Sequence, residues 1–349
     1  MADNLLTRLF LDAQDAFLEA VDHVPAPGQG GPIGALNAPG WIVAHIASGM
    51  DAWIERHAAG QSMEPWAERT QDEMIAAYRE GKPQPAYPLS EARDAFVRVQ
   101  ERTARWVTEA SWEHLQGPAD LSGTPFANVP TSRVYMVARS VAHLYVHAGE
   151  LSVIASLMAA GDLGLPGALV RSGAPTAADD ASGPVVAALL RDGYVEVERA
   201  AQVTPTPAAE GAMDRLNAVA ETLIHLAGRE DRVCNVAGQA LGSSSLLLAA
   251  TPDPATAGAP PWAPARDAYR DVVSAAHPWL ETLTPQAAAQ PMEWRGTPSS
   301  LGAQIARSAG HQFAHAGEMM AHASLYGVAD LGMPGQLAHV AATAPPVEA

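Results

Sequence analysis

The chain has 349 residues, with 38 acidic against 21 basic side chains and a formal net charge of −17. That balance opposes binding to phosphate backbones or anionic membrane surfaces through any general field, so neither a nucleic acid nor a membrane is expected as a partner. Hydrophobic residues make up 48% and aromatics only 6%, with alanine filling much of the apolar share, which favours closely packed helices over sheets rich in β-branched and aromatic residues.

The length exceeds one ordinary domain, and two all-α domains of roughly 170 residues are expected. Cys234 is the only cysteine, which excludes an intrachain disulfide and a cysteine-based zinc site and fits a reducing cytoplasm. The opening Met-Ala-Asp-Asn-Leu-Leu-Thr-Arg-Leu-Phe lacks a basic stretch followed by an apolar one, and no run of about 18 apolar residues occurs. A soluble cytoplasmic protein is the expectation.

In chain order, Leu5, Leu6, Leu9, Ala13, Ala16, Phe17, Ala20 and Val21 follow the i, i+3, i+4 rule of an amphipathic helix. Further helices are expected over 39–59, 90–110 and 131–160, the last opened by Pro130 and Thr131 and closed near Gly161. A second set is expected over 184–200, 212–238, 266–283 and 299–327. Four helices per half imply two bundles. The long connections 60–89 and 239–265 read as crossovers or lids. The predicted organisation is a first bundle over 1–167, a linker over 168–182, a second bundle over 183–335 and a loose tail over 336–349.

One motif is written twice. His143-Leu-Tyr-Val-His147-Ala-Gly-Glu150 recurs 168 positions later as His311-Gln-Phe-Ala-His315-Ala-Gly-Glu318, and the ungapped 25-residue match from His143 to Gly167 with His311 to Gly335 contains 13 identities. This reads as an internal duplication. Upstream, Pro130, Ser132, Arg139 and Ser140 correspond to Pro298, Ser300, Arg307 and Ser308.

On a helix, positions i and i+4 stand one above the other, so each histidine pair aims two imidazoles at one point. Each half also carries a histidine on its second helix, His45 or His225, within an otherwise apolar face. A lone histidine there is more often a satisfied core residue. Three in corresponding places in both halves point instead to metal sites at His45, His143, His147 and at His225, His311, His315, each with coordination positions left open for water or substrate. Zinc comes first, with nickel, iron or manganese as alternatives.

Arg139 and Glu150, like Arg307 and Glu318, share a helical stripe with the paired histidines. The glutamate reads as a general base, a fourth ligand or an acceptor for a ligand N–H, and the arginine as a holder of an anionic substrate. An interhelical salt bridge is the plainer reading of both. These four are the candidate catalytic residues. Asp51 and Asp231 lie six residues past the helix-two histidine and are rotated away from it. His23, His57, His114, His277, His322 and His339 have no counterpart in the other half and read as surface or incidental. The tryptophans read mostly as core, with Trp66 and Trp262 as candidates for a pocket mouth. No Gly-x-Ser-x-Gly, P-loop or dinucleotide-binding glycine turn is present.

Gly40-Trp41-Ile-Val-Ala44-His45-Ile-Ala47, the His143-x3-His147-Ala-Gly-Glu150 motif and the Leu-Gly-Leu-Pro-Gly stop together resemble the DinB-like (YfiT-like) metalloprotein superfamily, and His225, His311 and His315 repeat the pattern. The resemblance implies four-helix bundles of up-down-down-up type with a divalent metal on three histidines, and it implies that a tandem chain is a fused pseudo-dimer, alone or in a homodimer. It includes mycothiol-dependent maleylpyruvate isomerases and thiol S-transferases, so a small-molecule substrate and a low-molecular-weight thiol co-substrate are implied. The isomerases often place a glutamate where His143 and His311 stand. Hydrolysis or lyase chemistry through metal-activated water, and non-catalytic sequestration of a small molecule, are the competing expectations.

Overall fold

The computed structural model describes residues 4–25, 31–122, 124, 131–160, 181–211, 216–236, 260–294, 296–328 and 335–344. Within them the chain is helical apart from one short hairpin, as an alanine-rich, aromatic-poor composition favours.

In the first half, α1 spans Leu5–His23, α2 Pro39–Asp51, α3 Pro65–Arg79, α4 Leu89–Glu109, α5 Trp112–Gln116 and α6 Arg133–Leu157. Asn4 caps α1 by accepting the Thr7 N–H at 2.8 Å, and Ser132 caps α6 through Tyr135 N–H at 3.2 Å. α2 continues through Ala52–Ala58 as a π-helix, whose wider turns change the register of Trp53 relative to His45.

The second half holds α7 (Gly183–Val203), α8 (Thr206–Glu210), α9 (Val219–Val236), α10 (Trp262–Glu281), α11 (Pro285–Ala288), the strands β1 (Pro291–Trp294) and β2 (Thr297–Ser300), α12 (Leu301–Leu325) and α13 (Ala338–Thr343). Ser300 caps α12 by accepting Ala303 N–H at 3.2 Å, the same device that Ser132 supplies to α6.

Packing sorts the long helices into two quartets built alike. α1 lies along α6 and α2 along α4; α7 lies along α12 and α9 along α10. α6 and α12 then pack on each other, and one apolar core runs through both quartets. At that junction a Cβ added to Gly149 would stand 2.0 Å from the Ala314 carbonyl oxygen, and one added to Gly317 would stand 1.9 Å from that of Val146. Only glycine permits the two backbones to approach this closely.

Several segments differ from the sequence reading. The connection expected over 60–89 contains α3, because Trp66, Ala67, Thr70, Met74 and Ala77 place a buried stripe at helical spacing and Glu64 caps it through Ala67 N–H at 2.9 Å. The segment between the helices expected over 266–283 and 299–327 forms an antiparallel hairpin of β1 and β2, turned at Gly296 with φ +79°, that pairs Pro291 with Ser300.

The tail is not loose over 338–343. Leu337 and Val340 are fully buried, and Asp192 of α7 accepts the backbone N–H groups of His339 and Val340, both at 3.0 Å, so apolar anchoring and a borrowed cap hold α13 down. Residues 345–349 lie outside the described residues, as do 168–180 of the expected linker, 239–259 of the second long connection, and Pro130 and Gly161.

Candidate metal centres

α2 and α6 bring His45, His143 and His147 together. The Nε2 of His143 lies 3.1 Å from that of His45 and 3.1 Å from that of His147. α9 and α12 do the same for His225, His311 and His315, with Nε2 of His311 at 3.0 Å from His225 and 2.8 Å from His315. Within each triad the candidate ligand nitrogens all lie within 4.8 Å of one another. The rings meet edge to face at 84° for His45 with His143 and 88° for His225 with His311, so nitrogens rather than ring faces point inward.

Glutamate fixes the tautomer. Glu150 Oε2 is 2.8 Å from His147 Nδ1, and Glu318 Oε2 is 2.5 Å from His315 Nδ1. An ionised carboxylate only accepts, so each Nδ1 is the protonated donor and each Nε2 carries its lone pair into the triad. Glu150 is itself held by Asn37, whose amide donates to Oε1 at 3.0 Å.

Burial, then the neighbouring His147, pushes the pKa of His45 down to about 3; burial, then His315 and the charges of Arg229 and Arg232, pushes His225 down to about 4. His143 and His311 are driven well below the ordinary histidine value, again chiefly by burial. Neutral imidazole is the form that ligates a metal. In each triad the middle Nε2 lies 2.8–3.1 Å from the other two and all the ligand nitrogens lie within 4.8 Å, a spacing comparable with the roughly 3.3 Å between nitrogens around tetrahedral zinc. The donor sets therefore fit a divalent ion, held on three nitrogens with positions left for an exchangeable group.

The arginines lie beside these triads. Arg139 stands over the Trp53 ring at 5.3 Å and donates from Nη1 to the Gly335 carbonyl at 3.0 Å, so a residue near the second half's end meets the first half's site helix. Arg307 lies 6.0 Å and Arg229 4.5 Å from the Trp294 ring. Asp51 faces away from the histidines, accepting Glu64 N–H at 2.6 Å.

Sequence reasoning missed three neighbours. Trp41 stacks on His45 at 4.9 Å and 6°, and Trp53 lies 5.2 Å from His143; both had been assigned to core packing. Asn37 is the third. The i, i+4 spacing of Trp41 and His45 was a usable signal, whereas Trp53 depends on the π-helical register. Two histidines read as surface are buried: His57, bonded through Nδ1 to Asp120 O at 2.7 Å, and His322. Trp66 is buried too, donating to Glu91 at 2.6 Å, so it lines no pocket mouth.

Histidine triads held by glutamates inside packed long helices define a class of helical-bundle proteins suited to binding metal. Residues 193–319, from within α7 to within α12 and including His225, His311 and His315, match the DinB superfamily, so this part of the chain is DinB-like. No curated protein and no solved structure matches it. Among the described residues no helix is long and apolar enough to cross a membrane.

Proposed function

We propose that this chain is a divalent-metal-dependent enzyme acting on a small electrophile, by thiol S-transfer or thiol-assisted isomerisation, in the cytoplasm. One observation carries the metal reading: in each half, three imidazole Nε2 atoms converge while a glutamate holds one ring in the ligating tautomer. The thiol preference comes from the family resemblance. A bound divalent ion would lower the pKa of a thiol or water enough to supply its anion near neutral pH.

His45, His143 and His147 are the ligands of the first site and His225, His311 and His315 those of the second, with zinc the first candidate. Glu150, with both oxygens engaged by His147 and Asn37, orients its histidine rather than acting as a base. Glu318 takes the same role toward His315. Arg139 and Arg307, one turn before the first histidine of each pair, hold negative charge on the substrate. We read the chain as a tandem duplication, 1–167 and 183–335, whose two bundles pack as the protomers of a dimer would.

Metal content of protein purified without added metal, paired with turnover assays on a panel of thiols and electrophiles, tests the reading. About two equivalents per chain and thiol-dependent turnover are expected. Turnover with water alone would replace thiol transfer by hydrolysis, tight binding of the electrophile without turnover would mean sequestration, and absence of metal after reconstitution would overturn the proposal.

A further inference from the structure

A segment of the second half reaches across to the first centre. Its helix, α13, packs on α7 and also touches α6. Two buried carboxylates one turn apart on α7 fasten the segment. Asp192 accepts the N–H groups of His339 and Val340, both at 3.0 Å, and lies 2.8 Å from His339 Nδ1; Glu196 accepts Gly335 N–H at 2.6 Å. Arg199 holds the other oxygen of Glu196 at 2.8 Å, and Leu337 and Val340 are buried. Asp15, at the place on α1 that matches Asp192, is exposed and accepts from Gln100 at 2.9 Å, so this use of the carboxylate belongs to the second half.

The same segment meets the wall of the first centre. The Gly335 carbonyl accepts from Arg139 Nη1 at 3.0 Å, Arg139 stands over Trp53 at 5.3 Å, and Trp53 lies 5.2 Å from His143. Gly335 is thus bonded on both sides, to α7 through its N–H and to α6 through its carbonyl. His143 and His147 are buried, whereas His45, Trp41, Trp53 and Arg139 are partly exposed. The triad meets solvent on the side that those four residues occupy, and that is the side the segment ties down.

We propose that residues 335–343 are a strap that closes the solvent side of the first centre, with Asp192 as its latch and Arg139 as the residue it acts through. A helix this short does not persist alone in water, so α13 depends on its cap from Asp192 and on the burial of Leu337 and Val340. Undocking it leaves Glu196 alone to hold Gly335 and frees Arg139 and Trp53 to swing away from His143. Local openings of this kind cost far less than global unfolding. Exchange of the bound ion, and of any small molecule beside it, passes through the undocked state. Asp192 is a positioning residue, touching neither ion nor substrate. This inference rests on the metal reading above and deepens it by giving the first centre a gate built from the other half.

Release of cobalt(II) to excess EDTA, followed by its visible bands, reads the gate one centre at a time, because His311→Ala leaves the first set of three nitrogens intact and His143→Ala the second. Asp192→Ala and, independently, Leu337→Ala are expected to speed release from the first centre by about five- to thirtyfold, the change in open population that loss of such an anchor brings, and to leave the second within about twofold. Asp192→Asn, which keeps an acceptor oxygen, should fall between. Moving the Arg139 charge away from the ion would by itself slow release, so acceleration reports opening. In Arg139→Met, which cuts the tie, Asp192→Ala should add no further change. Equal release rates with and without the latch, equal acceleration at both centres, or an effect that survives Arg139→Met would overturn the strap and leave the metal reading intact. Cobalt bound by neither single-centre variant nor by the parent chain would overturn both.

Discussion

Gly149 and Gly317 occupy matching places on opposite sides of one helix contact. Each stands against a carbonyl of the other's helix, Gly149 on Ala314 and Gly317 on Val146, and both partners are three residues before the opposite glycine. The contact is reciprocal, each helix offering a glycine to a carbonyl of the other. It explains why glycine recurs inside His-Ala-Gly-Glu: the residue serves the junction of α6 and α12, while its neighbours serve the histidine triads.

Replacing Gly149 or Gly317 with alanine should therefore destabilise the protein, although alanine favours a helix interior by about 1 kcal/mol. Carbonyl contacts near 2 Å force α6 and α12 apart. A loss of roughly 2–4 kcal/mol is expected in denaturant titration, more for valine than alanine. A neutral or stabilising Gly317→Ala would mean that the helices do not pack at this distance.

Glu150→Gln should weaken metal binding at the first centre by about 10–100-fold while the second centre stays unchanged. The amide in place of the carboxylate no longer secures the His147 tautomer, and Asn37 loses its charged acceptor. Competition with a calibrated chelator, site by site in the His311→Ala background, measures this. Unchanged affinity would show that Glu150 has no hold on the ligand.

Chelation should lower thermal stability. An ion bound by the folded chain and not by the unfolded one stabilises by mass action, about 2.7 kcal/mol when free metal is 100-fold above its Kd. A Tm that falls on dialysis against EDTA and recovers on adding back metal is expected, with a smaller fall in His143→Ala or His311→Ala. Identical Tm values with and without chelator in protein shown to bind metal would contradict this.

Away from the triads, Asp51 gives the protein an acid-side signature. It is fully buried beside Glu55, with Arg102 as the shared cation at 3.8 and 3.0 Å, and burial raises its pKa to about 6. Between about pH 4 and about pH 6 the folded protein holds a proton that the unfolded chain releases, so this group's contribution to stability falls as pH rises through that window. Asp51→Asn should flatten the slope by an amount on the order of 1–3 kcal/mol across it. Measuring unfolding free energy against pH in metal-free parent and variant separates this group from the histidines, and superimposable curves would remove Asp51 from the account.

The histidine pairs and the glutamates were legible because helical spacing alone decides which side chains at i, i+3 and i+4 share a face. His45 and His225 were legible only as isolated polar residues on apolar faces, made meaningful by the repeat. What surrounds them was not. Trp53 reaches His143 through a π-helical turn, and Asn37 reaches Glu150 from 113 positions away. α13 was invisible because Leu337 and Val340 make too short an apolar stretch to announce a helix without α7 beneath them.

The sequence by itself determined an all-α chain, the two histidine sets and their glutamates, since local periodicity and a repeated pattern carry those. Tertiary structure alone decided that α6 and α12 meet glycine to carbonyl, that the Gly335 carbonyl engages Arg139 beside the first centre, and that Trp41 and Trp53 lie against the first triad. Those depend on which distant surfaces bury each other, and contact between residues far apart in the chain leaves no period to read.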